Sequence, residues 1–347
     1  MWTKTKPVTC VWEITMGCNM RCKHCGSSCE FALPGELDTQ EALKFVDMCA
    51  DMNLEWANIS GGEPFTRPDL MEIVKYFREK NICVNIISNG WLIDENYARE
   101  LSKLDKVRVM ISIDGPKRVH DFVRKPGSFD RLSNSLDILN KYNILTGCIT
   151  TLTKQNIDIL DELKLFLMSK NVTCWQVQIG LPMGNLDKNR DWILDYNQIH
   201  DIIKFCEKVS KEDNNIDIFP SDCIGYYDKR LEEILKRSFG DDNIAPWAGC
   251  HAGVYSFGLL HNGDIVGCTS IRDNKYVAGN IRERTLREIW EDDSSFSWRR
   301  SFNKSDLGSK CSKCEHAENC LGGCFNTRLT LNNTFNSDNN YCILNNL

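Results

Sequence analysis

Cys18, Cys22 and Cys25 stand as C-x3-C-x2-C in Gly17-Cys18-Asn19-Met20-Arg21-Cys22-Lys23-His24-Cys25, directly after an apolar, β-rich run over Thr9–Thr15. A second such run, Trp56–Ser60, leads straight into Gly61-Gly62-Glu63-Pro64. The fold must therefore open two loops, one rich in thiols and one stripped of side chains for close backbone approach, at the same ends of neighbouring strands. A cubane [4Fe-4S] cluster is ordinarily held by four cysteines. A loop of three leaves one iron free to take a ligand through an amine and a carboxylate. On the cysteine run alone, a zinc knuckle stays open as an alternative.

β-rich runs alternate with helical patterns up to about residue 180, the mark of repeated βα units and a parallel sheet. The expected strands are Thr9–Thr15, Trp56–Ser60, Cys83–Ser88, Val107–Ile113, Gly147–Leu152 and Cys174–Ile179. Between them, apolar spacing near 3.6 predicts helices over Glu41–Met52, with Asp38 or Thr39 as cap, and over Asp69–Lys80, Asp94–Lys103, Phe129–Tyr142 and Asn156–Ser169. Six such units are too few to close an eight-fold barrel. The expected fold is therefore α/β, an open partial (β/α)6 barrel over residues 1–180, a bridging region over 181–245 with a helix from about Gln198 to Ser210, and a small cysteine-rich domain over 246–347. In that last part, Val254–Leu260 and Asp264–Cys268 flank His261-Asn262-Gly263 as a hairpin.

The chain of 347 residues carries a net charge of -6, with no basic tract, which argues against nucleic-acid partners. It has no run long and apolar enough for a membrane span, and its first residues lack an apolar signal core. Eighteen cysteines without a secretory signal fit metal ligation in a reducing cytoplasm better than a disulfide framework.

The thiols resume as Cys250, then Gly263-x4-Cys268, then Cys311-x2-Cys314-x5-Cys320-x3-Cys324, then Cys342. C-x2-C pairs also suit a zinc ribbon, and the residues alone leave that alternative open. Taken with the first motif and Gly-Gly-Glu-Pro, however, the series resembles the radical S-adenosylmethionine (SAM) superfamily carrying a carboxyl-terminal SPASM extension.

The resemblance implies that Cys18, Cys22 and Cys25 hold a SAM-binding [4Fe-4S] cluster, with His24 in the position of the aromatic residue before the third cysteine. It implies that Gly61, Gly62, Glu63 and Pro64 flank the methionine part of SAM, and that Ser88, Ser112, Asp114 and Arg124 lie near its ribose and carboxylate. Gln176 and Gln178 alternate on the sixth strand and are candidates to line the barrel mouth. The SPASM likeness implies two auxiliary clusters, three [4Fe-4S] clusters in all: Cys311, Cys314, Cys320 and Cys342 on the outer one, and Cys250, Cys268 and Cys324 on the inner one. The inner set is one ligand short, to be completed by Cys223, by Asp222 or by another residue, or left with an open iron. Cys223 is also a candidate hydrogen-atom donor to a substrate radical, or a plain core residue.

The implied chemistry is reductive cleavage of SAM to a 5'-deoxyadenosyl radical that abstracts hydrogen from a substrate. A ribosomally made precursor peptide, crosslinked or epimerised, is the expected substrate. In sulfatase-maturing relatives an aspartate follows the cysteine of G-x4-C; here Thr269 follows Cys268, which counts against formylglycine formation. With seventeen residues before Cys18, a leader-binding protein is expected to be separate. A flavodoxin or ferredoxin is expected to supply electrons. The alternatives are small-molecule or cofactor biosynthesis, on a tetrapyrrole or a quinone, and a non-catalytic iron-sulfur electron carrier.

Overall fold

Alternation of β-branched or aromatic residues with polar ones makes the strands, and the buried half of each alternation faces the helices. The computed structural model describes residues 5–212, 215–221, 224–239 and 249–346, so Asp222 and Cys223 lie outside the described residues. Six parallel strands, β1 (Thr9–Glu13), β2 (Trp56–Ser60), β3 (Cys83–Ser88), β4 (Val107–Ser112), β5 (Leu145–Leu152) and β6 (Cys174–Ile179), lie side by side in chain order. The crossovers carry α1 (Thr39–Asp51), α2 (Leu70–Glu79), α3 (Glu95–Leu101), α4 (Lys117–Val123), α5 (Ser128–Lys141) and α6 (Leu160–Ser169). The Asp38 side chain accepts from the Glu41 amide and the Glu41 side chain from the Asp38 amide, a capping box that starts α1.

Cys10, Trp12, Ala57, Ile59, Val84, Ile86, Trp175 and Val177 are fully buried toward the helices. Trp12 meets Phe45 of α1 edge-on at 5.2 Å and Phe77 of α2 at 6.3 Å. Each such ring contributes about 1.5–3 kcal/mol by leaving water. Cys10, Cys49, Cys148 and Cys206 are buried in the same core as small apolar residues. The opposite face of the sheet is polar and only partly buried. There Asn85 Nδ2 donates to Asn58 Oδ1 at 2.9 Å, and Asn58 Nδ2 to Thr9 Oγ1 at 2.9 Å.

Two features depart from the expected plan. Among the described residues the sheet has ten strands, in the order β10-β9-β8-β1-β2-β3-β4-β5-β6-β7. β7 (Asp217–Pro220) comes from the bridging region and pairs parallel with β6, while β8 (Ser256–Leu259) pairs parallel with β1. An open barrel leaves two unpaired edges, and later segments cover both. β8 also forms the expected hairpin with β9 (Asp264–Val266), both strands being shorter than the sequence suggests, and β10 (Val277–Asn280) adds to it antiparallel. The second departure is α4, a short helix that starts after Pro116 and is too polar and brief to show as a periodic pattern.

α7 (Gln198–Lys211) and α8 (Lys229–Phe239) pack by β7, and α9 (Leu286–Glu291), α10 (Ser297–Arg300), α11 (Ala317–Cys320) and α12 (Phe325–Asn332) follow. The carboxyl-terminal part is tied to the barrel by Arg282, whose guanidinium grips Glu41 at 2.5 Å, and by the Trp290 indole, which donates to the Thr5 carbonyl at 2.7 Å. No helix among the described residues is long and apolar enough to cross a membrane.

Candidate active site and thiol sets

The two glycines after β2 lean on the cysteine loop. The Gly62 amide donates to the Thr15 carbonyl at 2.7 Å, and the Glu63 amide to the Gly17 carbonyl at 2.9 Å. A Cβ on Gly62 would sit 2.1 Å from the Gly17 oxygen and 3.1 Å from Cys18 Cβ, and one on Gly61, whose φ is +127°, would lie 2.4 Å from the Thr15 oxygen. What forbids side chains here is the backbone that carries Cys18, so the pair fixes one loop against the other.

Glu63 is fully buried, and its carboxylate accepts from Ser88 Oγ at 2.8 Å, from the Asn89 amide at 2.7 Å and from the Phe65 amide at 3.2 Å. Burial pushes its pKa up to about 7 against those hydrogen bonds. Pro64 opens the short turn that follows. Glu63 and Ser88 thus join the ends of β2 and β3, and Ser88 Oγ in turn accepts from the Gly90 amide at 3.0 Å.

Asp114, just past β4, is the other buried anion. Its Oδ2 meets Arg124 Nε at 2.5 Å and His24 Nε2 at 3.0 Å, while Oδ1 accepts from the Thr151 amide at 3.0 Å. Burial would raise its pKa, but the charges of Arg124 and His24 outweigh this and hold it well below the usual carboxylate range. Arg124 also reaches Cys22 Sγ at 3.9 Å, so Asp114 positions both a loop histidine and a cation beside a loop thiol. The Asp114 amide donates to His120 Nδ1 at 3.3 Å, and burial pushes that imidazole down to about 3. His120 is absent from the sequence-derived site because α4, which carries it, had no periodic signal. Ser112 ends β4 in register with Ile149, on the same face as Arg108 and Met110.

Burial pushes the Cys22 thiol up to about 12 despite Arg124, and raises Cys18 as well. Cys25 moves the other way, chiefly because the Cys29 thiol donates to it. Cys29 is outside the sequence-derived ligand set; the Cys25-x3-Cys29 spacing is the signal that places it here.

Glu13, which ends β1 beside this loop, is 4% exposed. Its Oε1 accepts from Ser27 Oγ at 3.2 Å and pairs with Arg272, which comes from beyond β9. Its Oε2 has no hydrogen-bond partner among the described residues. Farther round the same face, Gln176 Nε2 donates to Ser221 Oγ at 3.2 Å, and Gln178 Nε2 to Thr151 Oγ1 at 3.2 Å.

In the carboxyl-terminal part, Cys311, Cys314, Cys320 and Cys342 line one small cavity of about 20 Å³, together with Tyr226, Tyr227 and His316. The Tyr227 and His316 rings stack there at 3.9 Å. Cys250 and Cys268 lie against the Ile271, Phe325 and Phe335 cluster. Cys324 caps α12, its amide donating to Tyr226 Oη at 2.9 Å. Two buried arginines stand by this set: Arg299, whose Nε donates to the Cys250 carbonyl at 2.7 Å, and Arg328.

The donor sets suit iron-sulfur clusters. Soft thiols gather in one cavity of the outer set, buried cations stand by the inner one, and the first loop has three thiols within charge range of one another. Among the described residues no group of three or more His, Cys, Asp or Glu side chains is drawn tightly around a single ion.

This chain belongs to the radical SAM superfamily and carries a SPASM domain: residues 12–167 match the Radical SAM superfamily and residues 250–315 the SPASM iron-sulfur cluster-binding domain. Among curated proteins it is 30% identical over 328 residues to an AdoMet-dependent heme synthase of Methanosarcina barkeri, covering 91% of this chain and 90% of that one. It is 29% identical over 325 residues to the mycofactocin maturase MftC of Mycolicibacterium smegmatis, covering 92% and 78%. Among solved structures it is similar to Streptococcus suis SuiB bound to S-adenosylmethionine, with a TM-score of 0.75 at 19% identity, covering 97% of this chain and 76% of that one. It is also similar to anSMEcpe with bound AdoMet, with a TM-score of 0.74 at 22% identity, covering 97% and 94%. At these identities the structural matches bear on the fold. The protein is a radical SAM enzyme.

Proposed function

We propose that the substrate is a peptide, modified at a C–H position by the radical that the SAM cluster supplies when Cys18, Cys22 and Cys25 hold it. The observation that carries this reading is the lining of the barrel. Asn58, Asn85, Thr151, Gln176, Gln178 and Ser221 present neutral hydrogen-bonding groups, and Glu13 adds an unpartnered carboxylate oxygen beside the cysteine loop. Peptide backbones offer N–H and C=O groups that such a lining matches. A tetrapyrrole bearing several carboxylates asks instead for unpaired cations. Arg272 is paired with Glu13 and Arg124 with Asp114, so neither is free for such a carboxylate.

The chain's own residues then divide the work. Gly61, Gly62, Glu63 and Pro64 form the wall by the methionine part of SAM, and Ser88, Ser112, Asp114 and Arg124 bound the rest of its pocket. His24 and Asp114 keep Arg124 beside Cys22. Glu13 orients an N–H of the substrate. Cys311, Cys314, Cys320 and Cys342 hold an outer cluster and Cys250, Cys268 and Cys324 an inner one, making three [4Fe-4S] clusters. An acidic flavodoxin or ferredoxin is the proposed electron donor, and a separate leader-binding protein the proposed escort of the peptide.

A tetrapyrrole substrate is the second reading, favoured by the likeness to the heme synthase. The test is anaerobic reconstitution followed by dithionite-dependent 5'-deoxyadenosine release. The reaction is run with synthetic peptides encoded by small reading frames beside the gene, and separately with an iron porphyrin bearing propionates. A mass change in a peptide supports the proposal, whereas conversion of the porphyrin alone refutes it.

A further inference from the structure

Arg328 is fully buried on α12, yet its bonds run to carbonyls rather than to an acid. Nη2 donates to the Leu321 oxygen at 2.8 Å, Nη1 donates to the Phe335 oxygen, and Nε has no partner among the described residues. The guanidinium lies over the Phe325 and Phe302 rings at 4.5 and 5.1 Å. Space is made for it by Gly322, where a Cβ would come within 2.8 Å of Cζ. A cation buried without an anion is strongly disfavoured. Among the described residues, Tyr226 and three thiols lie within charge range of it, Cys311 from the outer set and Cys324 and Cys250 from the inner set. Its placement is fixed from both sides: the Leu321 carbonyl follows Cys320 directly, and Arg328 itself lies one helical turn beyond Cys324.

We propose that Arg328 is a positioning residue shared by the two auxiliary cluster sites, one buried positive charge that raises the reduction potential of both clusters together. The inference rests on the reading that both cysteine sets hold clusters. A cation near a cluster favours its more negative, reduced form, and it does so most strongly where the surroundings are buried and apolar. Arg299 supplies an internal contrast. It is also buried, but its Nε donates to the Cys250 carbonyl, and among the described residues Cys250 is the one cluster thiol in its charge range. Arg299 should therefore act on the inner site alone.

The experiment is a redox titration followed by electron paramagnetic resonance on the full-length, reconstituted protein, comparing the parent with Arg328→Gln, Arg328→Lys and Arg299→Gln. Iron and sulfide are counted in each sample. Arg328→Gln should lower both auxiliary couples and leave the SAM-binding couple in place, Arg328→Lys should restore most of the shift, and Arg299→Gln should lower the inner couple only. Auxiliary couples that stay put in a fully loaded Arg328→Gln, or a shift in one couple alone, would overturn the proposal. If Arg328→Gln loses iron, Arg299→Gln decides: movement of both couples or of neither overturns it. A parent chain that takes up only about four irons refutes the auxiliary-cluster reading itself and the role of Arg328 with it.

Discussion

Replacing Gly62 by alanine is the sharpest test of how the cysteine loop is held. The added methyl would sit 2.1 Å from the Gly17 carbonyl oxygen and 2.7 Å from its carbon, where real contacts stay beyond 3.0 Å. One loop must retreat by about 1 Å. That retreat breaks the 2.9 Å bond from the Glu63 amide to the Gly17 carbonyl. Overpacking costs about 1–3 kcal/mol and a lost buried hydrogen bond about 1 kcal/mol, so the expected destabilisation is about 2–4 kcal/mol. The Gly26→Ala control places its methyl 3.8 Å from the Met183 side chain, an ordinary contact, in the same loop region. Denaturant unfolding of the cluster-free protein measures the stability. Iron content and 5'-deoxyadenosine release measure whether the displaced loop still assembles a working site. Gly62→Ala should lose on all three measures and Gly26→Ala on none. A Gly62→Ala protein as stable, as iron-rich and as active as the parent would refute the account of the glycine pair.

Asp114→Asn leaves Arg124 a buried cation without its anion; a loss of about 3–5 kcal/mol and a sharp drop in SAM cleavage are expected, and unchanged denaturation midpoints would contradict the network. Burial raises Glu63 to about 7 from 4.5, so the folded protein holds this proton more tightly than the unfolded chain does, and the associated stability is present below 4.5 and lost as pH rises through about 7. This contribution amounts to about 3 kcal/mol and should be missing from the pH dependence of unfolding of Glu63→Gln; identical slopes between pH 4.5 and 7 would exclude it. Cys342→Ala should reduce iron by about four per chain while 5'-deoxyadenosine release without substrate persists, and full iron retention would remove Cys342 from the outer set.

The order of the thiols, the βα alternation and the Gly-Gly-Glu-Pro segment are local patterns, each contained in a few residues, so they are legible in the chain. β2, β3 and β6 lie where alternation places them, and Asp38 caps α1 as its position before Glu41 suggests. Contacts between distant segments leave no such trace. Arg272 meets Glu13 across 259 positions, β7 pairs with β6 and β8 with β1 at opposite sides of the six-strand array, and His120 reaches Asp114 on a helix too short to show a period. Arg328 looks in sequence like any helical arginine. Only packing buries it between two sets of cysteines, because burial and charge pairing are properties of the whole fold, whereas spacing and propensity belong to the chain.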